Sequence, residues 1–431
     1  MSLADENNKN GIVFSGAEVE GSQNADVRTK ERIVREFLQL AEIDSVSFKE
    51  REMADTLTRK LEELGLSVTE DSAGEQIGGN AGNLFAVWEG DPELEPVLLS
   101  AHMDTVVPGL GKNPIIEKVK RDSADAQIGA GKSEVTLIHS DGNTVLGADD
   151  LAGVTEILEG IRRVQESGAK HRTVEILFTV SEEVYTKGAR VFDYSKVRSK
   201  QAYCLDLSGD AGAAVNKAPT LLSFRIKVRG RAAHAGFAPE KGINAIAVAA
   251  AAIAKIKQGR VDEDSTLNIG TIQGGSATNI VSEECVVEGE IRSYVHEKAL
   301  RLYEDVKQTF EEQVKLLELS PVGDAKPVGT TRGESSLFAT VEATYELHLT
   351  AYEVNEKSPV VTRFREACEA LGLKGELKPT FGGADNHQFN ANGIEGIVLS
   401  CGMENVHTTG EYIKVSNLVS GSKLVEKIIL P

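Results

Sequence analysis

The stretch Val97-Leu98-Leu99-Ser100-Ala101-His102-Met103-Asp104 is an apolar run, long enough for one buried strand, that ends at a histidine and an aspartate. Four further apolar runs also end at residues that bind metals, at positions 144–149, 174–183, 202–206 and 396–407. In open α/β sheets, ligands bind at the carboxyl ends of the strands. The five runs therefore predict one sheet that carries two imidazoles and four carboxylates along a common edge.

Helical and strand-like segments alternate around these runs. Ile33, Phe37 and Leu40 recur at helical spacing, and Ser47 with Glu50 forms the pattern of a capping box at the start of a second helix. Further strand and helix patterns then follow in turn as far as residue 206. This alternation is typical of an α/β domain with a mostly parallel central sheet flanked by helices.

A different pattern begins near residue 216, where polar and apolar residues alternate singly, as in Leu222, Phe224 and Ile226. The predicted element order there is βαββαβ, the split βαβ order of ferredoxin-like α+β domains. The α/β pattern returns near residue 355. We therefore predict a small domain at 216–353, inserted into a larger domain formed by 1–215 and 354–431. Two polar connections, 111–140 and 320–336, are expected to be irregular with short hairpins.

Composition excludes several classes of partner. The chain has 431 residues, with 47 basic and 66 acidic side chains and a formal net charge of −19. Nucleic acids and anionic membranes favour basic surfaces, so neither is an expected partner. The N-terminus lacks an apolar signal-peptide core and no window reaches membrane-spanning length, so we expect a cytoplasmic protein. The widely spaced cysteines are expected to be free and mostly buried: Cys204, Cys285, Cys368 and Cys401.

Each metal-binding pattern has an ordinary explanation when it stands alone. His102-Met103-Asp104 is compatible with a surface turn, Asp149-Asp150 with the charge favoured at a helix N-terminus, and Glu182-Glu183 with solvated charge. Asp206 and His407 are unexceptional by themselves. Their occurrence together, each at the end of an apolar run, favours a site for two metal ions.

Two ligand sets that share one carboxylate follow from this reading. His102, Asp206 and Asp149 would bind one ion. Glu183 and His407, with the same Asp149, would bind the other. A catalytic zinc ion typically has three protein ligands and one open position, and a bridging carboxylate suits ions about 3.5–4 Å apart.

Two residues beside the ligands have predicted supporting roles. Asp104 would accept a hydrogen bond from the imidazole nitrogen of His102 that does not bind metal. Glu182 would remain unbound and act as a base. A metal lowers the pKa of bound water to about 7, and a nearby carboxylate can remove its proton and later deliver it to the leaving amine.

Other catalytic classes are disfavoured. Gly129-Ala130-Gly131-Lys132-Ser133 resembles the end of a phosphate-binding loop, but Ala126 stands where the first glycine is required, so a turn is predicted. The chain has no G-x-S-x-G motif, which argues against a serine hydrolase. Four histidines in polar or helical contexts are predicted to be surface groups: His139, His171, His296 and His348.

These motifs resemble those of a known family. Ser100-Ala101-His102-Met103-Asp104-Thr105, Gly147-Ala148-Asp149-Asp150 and Asn405-Val406-His407-Thr408, together with Glu182-Glu183 and Asp206, are similar to the metal-site motifs of the dizinc exopeptidases related to peptidase T, carboxypeptidase G and the aminoacylases. The resemblance covers nearly the whole chain and is strongest to the peptidase T group, which are tripeptide aminopeptidases. It implies a zinc-exopeptidase-like catalytic domain with an inserted lid or dimerisation domain.

The resemblance also assigns roles. It implies Glu182 as general base and Asp149 as the bridging ligand. His234 of the inserted domain would help to polarise the scissile carbonyl, often across a dimer interface in relatives. Asn279 and Arg292 would hold the carboxylate or backbone of the substrate.

Three details refine the resemblance. It implies a cis peptide bond between Asp149 and Asp150. Relatives commonly have a small residue soon after the paired glutamates, whereas Val184-Tyr185-Thr186-Lys187 delays the glycine here. Aspartate at position 206, where some carboxypeptidases of the family have glutamate, favours an aminopeptidase.

The sequence therefore predicts a cytoplasmic metallopeptidase that removes residues from short peptides, most simply an aminopeptidase for tripeptides. Two zinc ions per subunit are expected, with cobalt or manganese as alternatives, and the inserted domain is expected to form a homodimer. A carboxypeptidase or an N-acyl amino acid deacylase would use the same site. A metal-stabilised dimer that binds peptides without cutting them is the alternative from a different class.

Overall fold

The computed structural model describes residues 22–120, 134–319 and 339–431. The N-terminal residues 1–10, the turn predicted at 129–133 and the connection predicted at 320–336 lie outside these ranges. The helices and strands of the described residues fall into three parts along the chain.

The first part contains α1 (Ser22–Ala41), α2 (Arg51–Glu63), β1 (Ser67–Glu70), α3 (Ala73–Ile77), β2 (Leu84–Trp88), β3 (Val97–His102), β4 (Ile115–Lys120), β5 (Glu134–His139), α4 (Ala148–Ser167), β6 (Val174–Thr179), α5 (Lys187–Val191), β7 (Gln201–Leu207) and β8 (Ala213–Ala218). The second contains β9 (Thr220–Arg229), α6 (Ala245–Ile253), β10 (Gly259–Asp262), β11 (Ser265–Gly274), β12 (Glu284–Ser293), α7 (His296–Leu319) and β13 (Thr340–Leu349). The third contains β14 (Tyr352–Glu353), α8 (Pro359–Ala370), β15 (Glu376–Pro379), α9 (Asn386–Ala391), β16 (Glu395–Ser400), β17 (Met403–Glu404), β18 (Tyr412–Lys414) and α10 (Val415–Ile429).

The large sheet has parallel strands at its centre. Its order is β1-β2-β6-β3-β7-β16-β8-β14, with β15 beside β8. β6, β3, β7 and β16 run parallel, whereas the β1–β2, β2–β6, β16–β8 and β8–β14 pairs are antiparallel. Val97 and Leu99 belong to one hydrophobic core and Leu98 to another, so both faces of β3 are covered. The predicted α/β class is confirmed, with a mixed sheet because the edge strands reverse direction.

A separate sheet contains part of the predicted irregular connection. Its order is β17-β18-β5-β4, and β4 pairs with β5 in an antiparallel register from Ile115 with His139 to Lys120 with Glu134. A hairpin within residues 111–140 is therefore confirmed for the described positions.

The small domain has the predicted ferredoxin-like order. Its antiparallel sheet runs β10-β11-β12-β9-β13, so the four strands of the βαββαβ unit lie in the order second, third, first, fourth. β10 adds an edge strand that the sequence pattern did not predict. Leu222, Phe224 and Ile226 are buried against α6 and α7, in a core separate from those of the large sheet. The extent of 216–353 for this domain stays a prediction.

One predicted strand is wrong. Residues 144–147 form no strand, and α4 begins at Ala148. The backbone N–H groups of Leu146, Gly147 and Asp149 donate to the carboxylate of Glu411 at 2.7, 2.8 and 2.9 Å. Because this carboxylate satisfies the donors, the apolar run stays buried without joining a sheet.

The predicted capping box is also wrong. α2 begins at Arg51, and the side chain of its N-cap Glu50 caps no backbone group of the helix. Ser47 Oγ instead donates to Asp104 Oδ2 at 2.6 Å. Glu50 Oε1 accepts the backbone N–H of Ser181 at 3.0 Å and its hydroxyl at 2.9 Å. Both residues are used by long-range contacts to the loops that follow β3 and β6.

One of the four histidines predicted at the surface is buried. His139, His171 and His296 are partly exposed, but His348 retains 7% exposure. Its ring stacks on Tyr185, and its Nε2 lies 2.8 Å from the hydroxyl oxygen of Ser223. The alternating pattern of β13 did not reveal that a loop of the larger domain covers this residue.

Two expectations from composition can be compared with the coordinates. All four cysteines are free and buried, as predicted. None of the helices in residues 22–120, 134–319 and 339–431 combines the length and apolar character that a membrane-spanning helix requires.

Candidate metal centre

The carboxyl ends of the central strands bring the predicted ligands together. His102 is the last residue of β3, and Asp206 lies near the same end of β7. Glu182 and Glu183 follow β6 in a 3₁₀ turn. His407 follows β17 and has a φ of 61°. Because β6, β3 and β7 are adjacent and parallel, their ends present these side chains at one edge of the sheet.

Asp149 lies between the two histidines. It is the second residue of α4 but has an extended backbone (φ −82°, ψ 101°), and its peptide bond to Asp150 is cis, as the resemblance implied. Asp149 Oδ1 is 3.0 Å from His102 Nε2, and Asp149 Oδ2 is 3.2 Å from His407 Nε2. Each carboxylate oxygen thus faces a different imidazole, which is the arrangement that a bridging ligand requires.

The paired glutamates have different surroundings. Glu183 Oε1 lies 3.0 Å from His407 Nε2. The side chain of Glu182 is buried to 8% exposure, yet it makes no hydrogen bond or ion pair with any residue in the part of the chain that the structure describes. Glu183 therefore lies beside the predicted ligand His407, whereas the carboxylate of Glu182 is left unpaired among the described residues.

Two aspartates lie near His102 on its other side. Ligand atoms of His102, Asp150 and Asp206 lie within 4.8 Å of one another. The oxygens of Asp150 accept the backbone N–H of His102 at 3.2 Å and that of Gly153 at 3.3 Å. Asp206 Oδ1 lies 3.9 Å from His102 Nε2. Because Asp150 already supports the backbone, Asp206 is the better ligand.

Negative charge in this cluster is strongly unbalanced. Burial, with the charge of nearby carboxylates, raises the pKa of Glu182 and Asp206 well above the usual range. Burial would also raise the pKa of Asp149, but hydrogen bonds with His102 and His407 lower it. The bond with Asp149 is the largest cause that raises the pKa of His407 to about 10. Across the described ranges, no lysine or arginine pairs with these three carboxylates, so added cations would be stabilised here.

Asp104 connects the histidine to the glutamates. His102 Nδ1 lies 2.9 Å from the backbone oxygen of Asp104 and 3.4 Å from its Oδ1, so the main chain rather than the carboxylate is the nearer acceptor. The carboxylate accepts the backbone N–H groups of Glu182 at 2.9 Å and Glu183 at 3.3 Å. One side chain therefore fixes the start of the glutamate turn beside the end of β3.

Glu411 supports the segment that carries Asp149, and the sequence analysis missed it. It is 1% exposed and accepts the three backbone N–H groups of residues 146, 147 and 149. Burial raises its pKa to about 7, against the effect of these hydrogen bonds. The signal was weak, because an acidic residue four positions after His407 has no distinctive spacing.

We expect Glu411→Gln to lower the free energy of unfolding by about 1–3 kcal/mol, because an amide NH₂ would face a backbone donor and leave it unsatisfied. Urea unfolding of the metal-free protein measures this change. The control is Glu395→Gln, since Glu395 is exposed at the start of β16 and should change stability by less than about 0.5 kcal/mol. Equal unfolding free energies for the two variants would contradict the role of Glu411.

A cavity of about 190 Å³ opens beside the predicted ligands. Part of its wall is apolar and consists of Val215, Ala218, Tyr352 and Val398. Another side of the cavity is formed by residues 380–385 and the start of α9, with the sequence Thr-Phe-Gly-Gly-Ala-Asp-Asn-His, together called the loop at 380–387. This loop was not predicted to be functional, although two adjacent glycines before a run of polar residues are a detectable signal.

The three predicted substrate contacts are not equally near this cavity. His234 and Asn279 are exposed on the small domain and do not line it. The ring of His234 lies 4.2 Å from that of Phe237. Arg292 Nη1 donates to the backbone oxygen of Phe381 in the loop at 380–387. A single chain thus brings Arg292, but not the other two, to the border of the cavity.

The donor set fits two divalent metal ions. Imidazole nitrogen and carboxylate oxygen are common zinc ligands, and Asp149 can complete both sets of three. Glu183 Oε1 is buried and lacks a hydrogen bond of acceptable geometry, although it lies close to His407. With two dications, the charges of Asp149, Glu183, Asp206 and the free Glu182 sum to zero.

Family sequence models match two parts of the chain. A model described as "Peptidase dimerisation domain" matches residues 217–317, within the small domain. A model described as "Peptidase family M28" matches residues 83–263, which include His102, Asp149 and Glu182.

Similar proteins match almost the whole chain. The crystal structure of aminopeptidase PepT from Bacillus cereus is 34% identical, with a TM-score of 0.79, and the match covers 93% of this chain and 98% of that one. The structure of a tripeptidase from Staphylococcus aureus is 32% identical, with a TM-score of 0.81 and coverage of 93% and 97%. The uncharacterised protein YqjE of Bacillus subtilis is 33% identical over 400 residues, with coverage of 93% and 98%.

The similarity to these proteins extends over both domains of the chain. The small domain also matches the model of a peptidase dimerisation domain. The fold, the candidate metal centre and the inserted domain agree with one family. The chain belongs to the M20 family of metallopeptidases, in the group of peptidase T.

Proposed function

We propose that this metallopeptidase is a zinc-dependent aminopeptidase that removes the N-terminal residue of short peptides, with tripeptides as the preferred length. The proposed dependence on zinc is supported by the position of Asp149, whose two oxygens lie 3.0 and 3.2 Å from the Nε2 atoms of two histidines. The proposed action on tripeptides is supported by the similarity of the chain to an aminopeptidase and a tripeptidase, each more than 30% identical to it. A cytoplasmic location, expected from the sequence, stays a prediction.

Two zinc ions per subunit would be held by residues from distant parts of the chain. His102 and Asp206 would hold one ion, Glu183 and His407 the other, and Asp149 both. The nitrogen and oxygen donors suit zinc, and they can also bind cobalt or manganese. When bound, two such ions act as Lewis acids on the peptide carbonyl and on water.

Glu182 would move the proton. Its carboxylate is buried beside the predicted ligands and has no partner in the described residues, and burial raises its pKa, which strengthens it as a base. We infer that it accepts a proton as water attacks the peptide carbon and then donates it to the leaving amine. Asp104 would hold it in place through the backbone N–H groups of Glu182 and Glu183.

A homodimer through the small domain would explain the position of His234 and Asn279. Both are exposed and remote from the cavity lining of their own chain, and they lie within the match to the dimerisation domain. We infer that each subunit offers these two side chains to the substrate bound by the other subunit. Arg292 would act within its own chain, by holding the loop at 380–387.

A panel of peptides tests the proposal. Zinc-loaded protein is expected to release the N-terminal residue from a free tripeptide and from its C-terminal amide, and to leave the N-acetylated tripeptide intact. Release of the C-terminal residue would indicate a carboxypeptidase, and hydrolysis of N-acetyl amino acids a deacylase. Bound zinc without hydrolysis of any substrate would favour a metal-stabilised peptide-binding dimer. Mass spectrometry of the products identifies the bond that is cut.

A further inference from the structure

One aromatic contact joins the glutamate turn to the small domain. Tyr185 follows the 3₁₀ turn Glu182–Val184, and its ring stacks on that of His348 with centroids 3.8 Å apart and planes inclined by 9°. His348 lies near the end of β13, where the chain leaves the small domain for the larger one. The segment that carries Glu182 is therefore in direct contact with the small domain.

His348 is a fixed part of the small domain. Its Nε2 lies 2.8 Å from the hydroxyl oxygen of Ser223 on β9, the strand beside β13. Its backbone oxygen accepts a hydrogen bond from Arg190 in α5. The hydroxyl group of Ser223 thus limits the movement of the imidazole, and Arg190 holds the backbone that carries it.

The glutamate turn is held at both ends. Asp104 accepts the N–H groups at its beginning, and Glu182 O accepts the N–H of Thr186 at 2.7 Å. Tyr185 and Thr186 have φ angles of 70° and 52°, in the left-handed region that side chains other than glycine disfavour. Residues hold such a conformation when surrounding contacts fix it, and the stack on His348 is a contact of this kind for Tyr185.

We propose that Tyr185 is a positioning residue for the general base. Its stack on His348 links the orientation of the small domain to the placement of Glu182, so that the base reaches its working position when the two domains are correctly arranged. The proposal rests on the proposed role of Glu182. It gives a physical reason for Tyr185, one of the residues that delay the glycine after the paired glutamates in this chain.

Two substitutions of Tyr185 separate the ring from the hydroxyl group. In the described part of the chain the Tyr185 hydroxyl makes no hydrogen bond, so Tyr185→Phe keeps the stack and should retain kcat within about twofold. Tyr185→Leu removes the stack and should lower kcat by roughly 10-fold to 100-fold, because small displacements of a catalytic group have effects of this size. Zinc content and KM should stay close to those of the wild type, since the ligands and the cavity wall are unchanged.

The partner ring provides an independent test. His348→Leu should lower kcat as Tyr185→Leu does, and the double variant should be little worse than either, because both changes remove one contact. His171→Leu is the matched control: it breaks the stack of His171 on Trp88, with centroids 3.7 Å apart, at a site away from the cavity lining. Its kcat should equal that of the wild type.

The outcomes distinguish this proposal from the proposed function. A zinc-loaded wild type without peptidase activity would contradict the function itself. An active wild type with a fully active Tyr185→Leu variant, or with a Tyr185→Phe variant as impaired as the Leu variant, would overturn the role of Tyr185. If the decreases in kcat of Tyr185→Leu and His348→Leu multiply in the double variant, the role of Tyr185 is also overturned. Melting temperature and zinc content of each variant show whether a loss of kcat reflects misfolding.

Discussion

Glu182→Gln is expected to lower kcat for tripeptide hydrolysis by about 10³-fold and to leave two metal ions bound. Glutamine has the shape of glutamate, but its amide can neither accept the proton of water nor deliver one to the leaving amine. Glu182 is buried and pairs with no predicted ligand in the described residues, so its replacement by glutamine should leave the set of metal ligands intact. Initial rates and metal analysis by mass spectrometry on the same samples measure both quantities.

The neighbouring residue supplies the matched control. Glu183 lies 3.0 Å from His407, so Glu183→Gln should lose metal together with activity. The two variants differ by one position and have the same change in charge, and they should differ in metal content. A Glu182→Gln variant that keeps more than a tenth of the wild-type kcat would contradict the general-base role, and one that loses metal would place Glu182 among the ligands.

Asp149→Asn is expected to reduce the bound metal from two ions per chain to one or none, with loss of hydrolysis. Asparagine keeps the size of the side chain but has one oxygen and no charge, so it cannot bridge two cations. Asp149 is also the residue that both histidines contact, and both ion sets depend on it. Metal analysis after dialysis gives the stoichiometry directly.

Thermal stability gives a second measurement of the same variant. Zinc that binds only the folded state stabilises it by about 4 kcal/mol when its concentration is 1,000 times the dissociation constant. The free energy of unfolding of the wild type should rise by about this amount when zinc is added. That of Asp149→Asn should rise much less. Asp305→Asn, an exposed change on α7, is the control and should behave as the wild type. Two tightly bound ions in Asp149→Asn would end the bridging assignment.

Much of the candidate site could be predicted because its proposed ligands follow a local rule. A buried parallel strand appears as a continuous apolar run, and the residue that ends the run lies at the edge of the sheet where ligands bind. His102 and Asp206 follow this rule directly. The inserted domain could also be predicted. Its strands alternate single polar and apolar residues, and a few residues are enough to distinguish this pattern from the continuous apolar runs of the large sheet.

The residues that support the ligands could not be predicted, because their partners are distant backbone groups. Glu411 binds the N–H of Leu146, which lies 265 positions earlier in the chain. Glu50 resembled part of a helix cap, but it accepts hydrogen bonds from Ser181 across 131 positions. Such contacts leave no periodic trace in the sequence. The error at residues 144–147 has the same cause, since a single carboxylate replaced the neighbouring strand that an apolar run normally requires.

The place of β16 in the large sheet has a consequence for how the protein is made. This strand lies between β7 and β8, although it is synthesised long after both of them. While the chain emerges from the ribosome, β7 and β8 lack the strand that pairs with both of them. His407 has not yet been added at that stage. If His407 holds a metal ion as proposed, the growing chain has no complete metal centre until β16 and residue 407 have been added.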